Sequence, residues 1–190
     1  MQSILEATLQ VLLDVGKERL TTTRVAQRAG VSVGTLYQYF PNKSALLQAV
    51  LRNHLDSVAG ALEEVCREER NSPLPQMVTR LVDTFLEAKM KHLKSSVALY
   101  SVSSDVDGTR IAREIGARVN KVIASALAAS HEPLGKDAHL VASLIQGAMS
   151  GVSHRLLESA NPEKHYQPLK QELALMVAAY INARSVKSAT

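Results

Sequence analysis

Residues 21–43, TTTRVAQRAGVSVGTLYQYFPNK, hold the side chains whose types and spacing suit recognition chemistry. Thr21, Thr22 and Thr23 offer hydroxyl oxygens to the free amides of a helix start, and Ser32 offers another to the helix that follows. Gly30 between them permits a left-handed turn residue, and Ala26 and Ala29 are small enough for two short helices to cross closely. These are the physical requirements of a helix-turn-helix. Val25, Val31 and Leu36 fill its small core. The second helix then presents Gly34, Thr35, Tyr37 and Gln38, a polar and uncluttered face suited to base edges in a major groove. Tyr37 brings a ring for a thymine methyl and a hydroxyl for phosphate. Lys43 falls at the start of the next helix, where its charge and the helix amides both favour a phosphate. The chemistry is reversible pairing with double-stranded DNA rather than bond making.

The rest of the chain must position that pair of helices. Of 190 residues, 25 are Leu and 24 Ala, strong helix formers that lose little side-chain entropy in a helix. Aromatic residues make up 4% with no Trp, and no alternating pattern persists long enough for a sheet. The class expected is all-α. Gly and Pro divide the sequence into about nine helical segments. The first ends at Gly16, and a long fourth one from Asn42 to about Arg70 carries Leu47, Leu51, Val58, Leu62 and Val65 at helical spacing. Later stripes are Leu74, Val78, Leu81, Phe85 and Ala88; Ile111, Ile115, Val119, Val122 and Ala126; Val141, Ile145, Ala148, Val152 and Leu156; and Leu169, Leu173, Met176 and Tyr180. Breaks fall at residues 103–108 and 131–135, and the end beyond Arg184 reads as frayed. A domain boundary is drawn near residues 45–50, giving a DNA-reading part of 1–46 and a larger part of 47–190.

Residues 1–50 resemble the DNA-binding domain of the tetracycline-repressor (TetR) family. The features run in order: Ile4-Leu5, Gly16, Thr22-Thr23, VAxxAGVS from Val25 to Ser32, GTLYxYF from Gly34 to Phe40, then Asn42-Lys43 and Leu46-Leu47. AGVS alone is shared by other helix-turn-helix families; followed by GTLYQYFPNKSALL it is specific. The resemblance implies a homodimer with three N-terminal DNA-binding helices and a helical ligand-binding and dimerisation domain. It implies a ligand-responsive repressor of a palindromic operator, released by a small-molecule inducer. It places Thr22, Thr23 and Arg24 at the backbone side of the groove, with Ser32, Val33, Gly34, Thr35 and Gln38 on or beside the recognition face. Tyr37, Tyr39 and Lys43 would contact phosphate or base. Many members carry a basic arm before the first helix, whereas Met1 opens almost directly into it here.

Outside that motif the sequence offers weaker candidates. Phe85, Met90, Tyr100, Gln146 and Met149 suit the lining of a ligand pocket, although each also suits a core. Gly147 and Gly151 fall inside a helix, where each costs about 1 kcal/mol relative to Ala, so close approach of a neighbouring helix is expected. With Leu173, Met176 and Tyr180 they form the candidate dimer interface. Leu140, Leu144 and Leu175 lie off the main stripes, making the last two long helices apolar on more than one face. That pattern fits a subunit interface or a thick intrachain core. None of the six histidines is paired at i,i+3 or i,i+4, so neither metal nor cofactor is expected, and Cys66 reads as a packed, inert thiol. The net charge of +4 permits a polyanionic partner. No apolar run is long enough for a membrane span and the N-terminus lacks a secretory pattern, so the cytoplasm is the expected compartment. A helical-bundle enzyme is the main competing class, but phosphate-cradling glycine loops and nucleophile elbows are absent. A helical adaptor would leave Tyr37, Gln38 and Lys43 unexplained.

Overall fold

Punctuation by Gly, Pro and capping side chains sets where each helix begins and ends. The computed structural model describes residues 1–130, 134 and 137–184; His131, Glu132, Pro133, Gly135, Lys136 and the end beyond Arg184 lie outside the described residues. Among the described residues there are nine α-helices and no strand. They are α1 (Gln2–Arg19), α2 (Thr22–Ala29), α3 (Val33–Tyr39), α4 (Lys43–Glu68), α5 (Leu74–Lys91), α6 (Leu93–Val102), α7 (Gly108–Ala128), α8 (Ala138–Leu157) and α9 (Pro162–Arg184), with a 3-10 turn at Ser103–Val106. Gly16, at φ 76° and ψ 170°, breaks α1 before its last three residues.

The helices gather into two compact units that do not follow chain order. The first comprises Met1–Ser57 and His92–Glu114, the second Val58–Lys91 and Ile115–Thr190. In the first, α1 packs on both α2 and α6, and its core includes Ile4, Val11, Leu12, Val25, Leu36, Phe40, Leu46, Leu99 and Val102. In the second, α5 packs extensively on α9, and α8 packs on both, burying Val78, Leu81, Leu86, Ile123, Ile145, Met149 and Ile181. Cys66 is buried there, its thiol pushed up to about 11 by burial and then by the charge of Glu63.

The later parts of the α7 and α9 stripes settle one residue away from the expected register, and α8 departs in part. In α7 Ile111, Ile115 and Val119 are buried as expected, but beyond them Ile123 and Leu127 are buried while Val122 and Ala126 are half-buried. In α8 Met149 and Ser153 are buried in place of Ala148 and Val152. In α9 Leu173, Val177 and Ile181 form the core, leaving Met176 54% exposed. Leu140 and Leu144 on α8 and Leu175 on α9 are each more than half exposed, and Gly147 and Gly151 are exposed as well. Among the described residues no helix is long and apolar enough to cross a membrane.

Candidate nucleic-acid interface

The geometry of α2 and α3 follows from four local devices. The Thr21 side chain accepts a hydrogen bond from the Arg24 amide at 3.2 Å, capping α2. Gly30 closes α2 in the left-handed region at φ 68°, ψ 30°, and the amides of Gly30 and Val31 reach back to the carbonyls of Gln27 and Ala26. This paired closure satisfies carbonyls that a helix end otherwise leaves free. Ser32 Oγ accepts from the Thr35 amide at 2.9 Å and caps α3. Asn42 Oδ1 does the same for α4 from Ala45 at 2.8 Å. Val25 and Leu36 are fully buried between these elements; Val31 is half-buried.

The capped helix α3 turns a polar face outward. Ser32, Gly34, Gln38, Tyr37 and Tyr39 are exposed, the two tyrosines by 47% and 54%. Val33 and Thr35 are half-buried. The Tyr37 hydroxyl lies 3.2 Å from Thr22 Oγ1, a contact across the turn that the sequence reading did not anticipate. It joins the start of α2 to the middle of α3 and fixes the ring's direction. Thr23 and Arg24 are exposed on the first turn of α2. A side chain at Gly34 would meet only Ser32 Oγ, at an ordinary 3.7 Å. The glycine is therefore not required by the chain's own packing.

The basic side chains around this face are mostly engaged. Arg28 donates to Asp14 at 2.5 Å and to Gln10 at 3.3 Å, tying α2 to α1. Arg19 donates to the Val15 carbonyl. Lys43, expected to meet a phosphate, donates its ammonium to the Lys17 carbonyl at 2.5 Å. Lys17 in turn pairs with Asp105 at 2.7 Å. That hydrogen bond and the attraction between the two charges raise the Lys17 pKa and lower that of Asp105. A partner 88 residues away in the chain leaves no local signal in the sequence.

The five candidate pocket residues fall in different units. Tyr100 belongs to the first unit and the other four to the second. Met149 is core, at 1% exposure. Gln146 donates to the Gly116 carbonyl at 2.9 Å and accepts from Asn120. Phe85 carries the Lys89 ammonium 5.7 Å from its ring centre, and burial lowers the pKa of that lysine to about 8. Met90 lines an open groove of about 490 Å³ with Thr84, Glu87, Ala88, Lys91 and Tyr166. Beside it Lys170 bridges Asp83 and Glu87, both at 3.3 Å. Of the candidate interface residues, Met176 is exposed, Tyr180 half-buried, and Leu173 belongs to the chain's own core at 3% exposure. Burial of Leu173 between helices of its own unit corrects its assignment to a subunit surface. Among the described residues of the chain itself, nothing lies within 4 Å of a side chain built at Gly147 or Gly151. Among the described residues no group of three metal-ligating side chains comes together.

An all-helical chain headed by a capped helix-turn-helix is the class these features define. Residues 4–50 match the family model described as bacterial regulatory proteins, tetR family, and residues 73–181 match the tetracyclin repressor-like C-terminal domain. The chain belongs to the tetR family of bacterial regulatory proteins. It is 30% identical over 104 residues to the HTH-type transcriptional regulator BetI 1 of Chromohalobacter salexigens, covering 54% of this chain and 52% of that one. The chain spans about half the length of the curated relatives it matches. The fold is shared with a TetR-family transcriptional regulator from Mesorhizobium loti, at a TM-score of 0.80 and 18% identity over 97% of this chain and 96% of that one. It is also shared with the transcriptional regulator FadR of Bacillus subtilis in complex with stearoyl-CoA, at a TM-score of 0.70 and 15% identity over 94% and 98%.

Proposed function

We propose that the chain is a one-component transcriptional repressor that binds a palindromic operator in double-stranded DNA as a homodimer and is released by a small-molecule effector. In this reading residues 1–46 contact DNA, residues 47–190 bind the effector and dimerise, and the protein works in the cytoplasm without catalysis or cofactor. The observation that carries it is the α3 face. A helix glycine costs about 1 kcal/mol relative to Ala, yet a side chain at Gly34 would make only an ordinary contact with Ser32 Oγ. Beside it stand the capped first turn and the exposed Tyr37, Gln38 and Tyr39. A helix start cleared of side chains and flanked by polar ones suits close approach to a groove.

Dimerisation has similar support. Leu140, Leu144, Gly147 and Gly151 repeat at the spacing of one helix stripe and are all exposed, and Leu175 and Met176 of α9 are exposed as well. Two subunits would place two α3 helices on half-sites about 34–36 Å apart. An effector site in the second unit is supported by family membership and by the ligand in the B. subtilis neighbour.

A gel shift of the full chain on DNA flanking its own gene, across a salt series, tests the reading. The expected result is a complex whose log affinity falls linearly with log salt. No complex at about 50 mM salt on any such fragment overturns it. An effector found by panel screening should lower operator affinity about 5- to 150-fold, and operator should lower effector affinity by the same factor.

A further inference from the structure

The segment between α6 and α7 is built more tightly than a connecting loop needs. Asp107 adopts φ 55°, in the left-handed region, without being glycine. A side chain at Gly108 would come within 2.6 Å of the Ser103 carbonyl oxygen and 2.9 Å of its Cα, so only glycine closes this turn. Ser103 Oγ donates to the Tyr100 carbonyl at 2.7 Å, and Arg110 donates to Asp107 at 2.7 Å. Such backbone strain persists only where the surroundings over-determine it. What the turn presents is Asp105, whose carboxylate meets Lys17 Nζ at 2.7 Å.

Lys17 lies in the short turn that follows the Gly16 break in α1. Its side chain is held by Asp105 and its carbonyl holds the Lys43 ammonium at 2.5 Å. All three residues belong to the first unit. We propose that Asp105 is a positioning residue for DNA binding, which through Lys17 fixes the Lys43 ammonium at the start of α4 for the phosphate backbone. An ammonium has three donors, and one is used on the Lys17 carbonyl, so two remain for phosphate oxygens. The inference rests on the DNA-binding reading above.

The sign of one substitution separates this relay from simple electrostatics. Asp105→Asn removes a negative charge near the expected phosphate contact, which by long-range attraction alone tightens DNA binding. The relay requires the opposite. Affinity of the full chain is measured by fluorescence anisotropy on the duplex that the wild type shifts in the gel assay, across a salt series. Asp105→Asn and Lys17→Met should each weaken binding about 2- to 5-fold, the range an exposed ion pair supports. Lys43→Ala should lower the salt slope by about one in the wild type and by less in Asp105→Asn, because the two residues act through one contact. Exchanging the charges, Lys17→Asp with Asp105→Lys, keeps the net charge and should recover affinity relative to Lys17→Asp alone. Thermal midpoints should stay at the wild-type value, since exposed pairs add little stability. Tighter binding by Asp105→Asn, full additivity with Lys43→Ala, or a fall in midpoint matching the loss of affinity each overturns the relay. A wild type that binds no duplex overturns the DNA-binding reading instead, which keeps the two failures distinct.

Discussion

On α3 and its cap Ser32 the exposed side chains are a hydroxyl, an amide and two phenol rings, whereas α8 and α9 expose the large apolar Leu140, Leu144, Leu175 and Met176. Both regions also carry glycines that the chain's own packing does not require: Gly34, where a side chain would make only an ordinary contact with Ser32, and Gly147 and Gly151, which have open space. In the proposed reading each surface meets something outside the chain. The difference in chemistry says what kind of thing. Hydrogen-bonding groups spaced along a short capped helix suit the donors and acceptors of base edges. Exposed leucines beside bare backbone suit another helix, and a C2 dimer presents one such patch to its own copy.

The comparison breaks most visibly if the apolar surface is charged. Leu144→Glu combined with Leu175→Glu should leave a folded monomer in sedimentation and lower operator affinity on the order of 100-fold, the scale lost when two linked sites become one. A dimer that survives both changes would place the interface elsewhere. Tyr37→Ala should cost about 1–3 kcal/mol on operator and much less on random duplex; equal losses on both would reassign Tyr37 from base to backbone contact. Ser32→Ala removes the α3 cap and should destabilise the chain by about 1 kcal/mol in denaturant titration. The smallest effect concerns Lys89 in the second unit. Its native pKa is about 8 against an ordinary 10.5, so between those values the unfolded chain binds a proton that the native one does not. Native stability should therefore rise with pH across that window and carry the full penalty below it. Lys89→Met should show a flatter profile than the wild type in urea titrations at several pH values. The opposite contribution of Cys66, whose native pKa is raised to about 11, is common to both proteins and cancels in the difference.

The α2–α3 pair was legible because its code is local: a hydroxyl three residues before the amide it caps, a glycine at the left-handed turn, small residues at the crossing. Register in the later helices was not. Val122 and Ile123, Ala126 and Leu127, Met176 and Val177, and Tyr180 and Ile181 are adjacent pairs with apolar character on both members. Periodicity cannot choose between neighbours about 100° apart on a helix when either serves. On α9 its packing against α5 and α8 decides it. Val152 and Ser153 show the choice going against hydrophobicity, with the serine buried at 2%. The capture of Lys43 by the Lys17 carbonyl was invisible because a backbone acceptor has no letter in the sequence.

Cys66 gives the second unit a built-in clock. At pH 8 a thiol of pKa about 11 is ionised to about one part in a thousand, and its burial shields even that fraction from reagents. Modification by a maleimide or a disulfide reagent must then wait for the surrounding helices to part, so its rate measures local opening. The chain holds no other cysteine, so a single mass increment reports that event without any engineered label. A compound that settles among these helices should slow the reaction in proportion to its occupancy, which turns one buried sulfur into a screen for the missing effector.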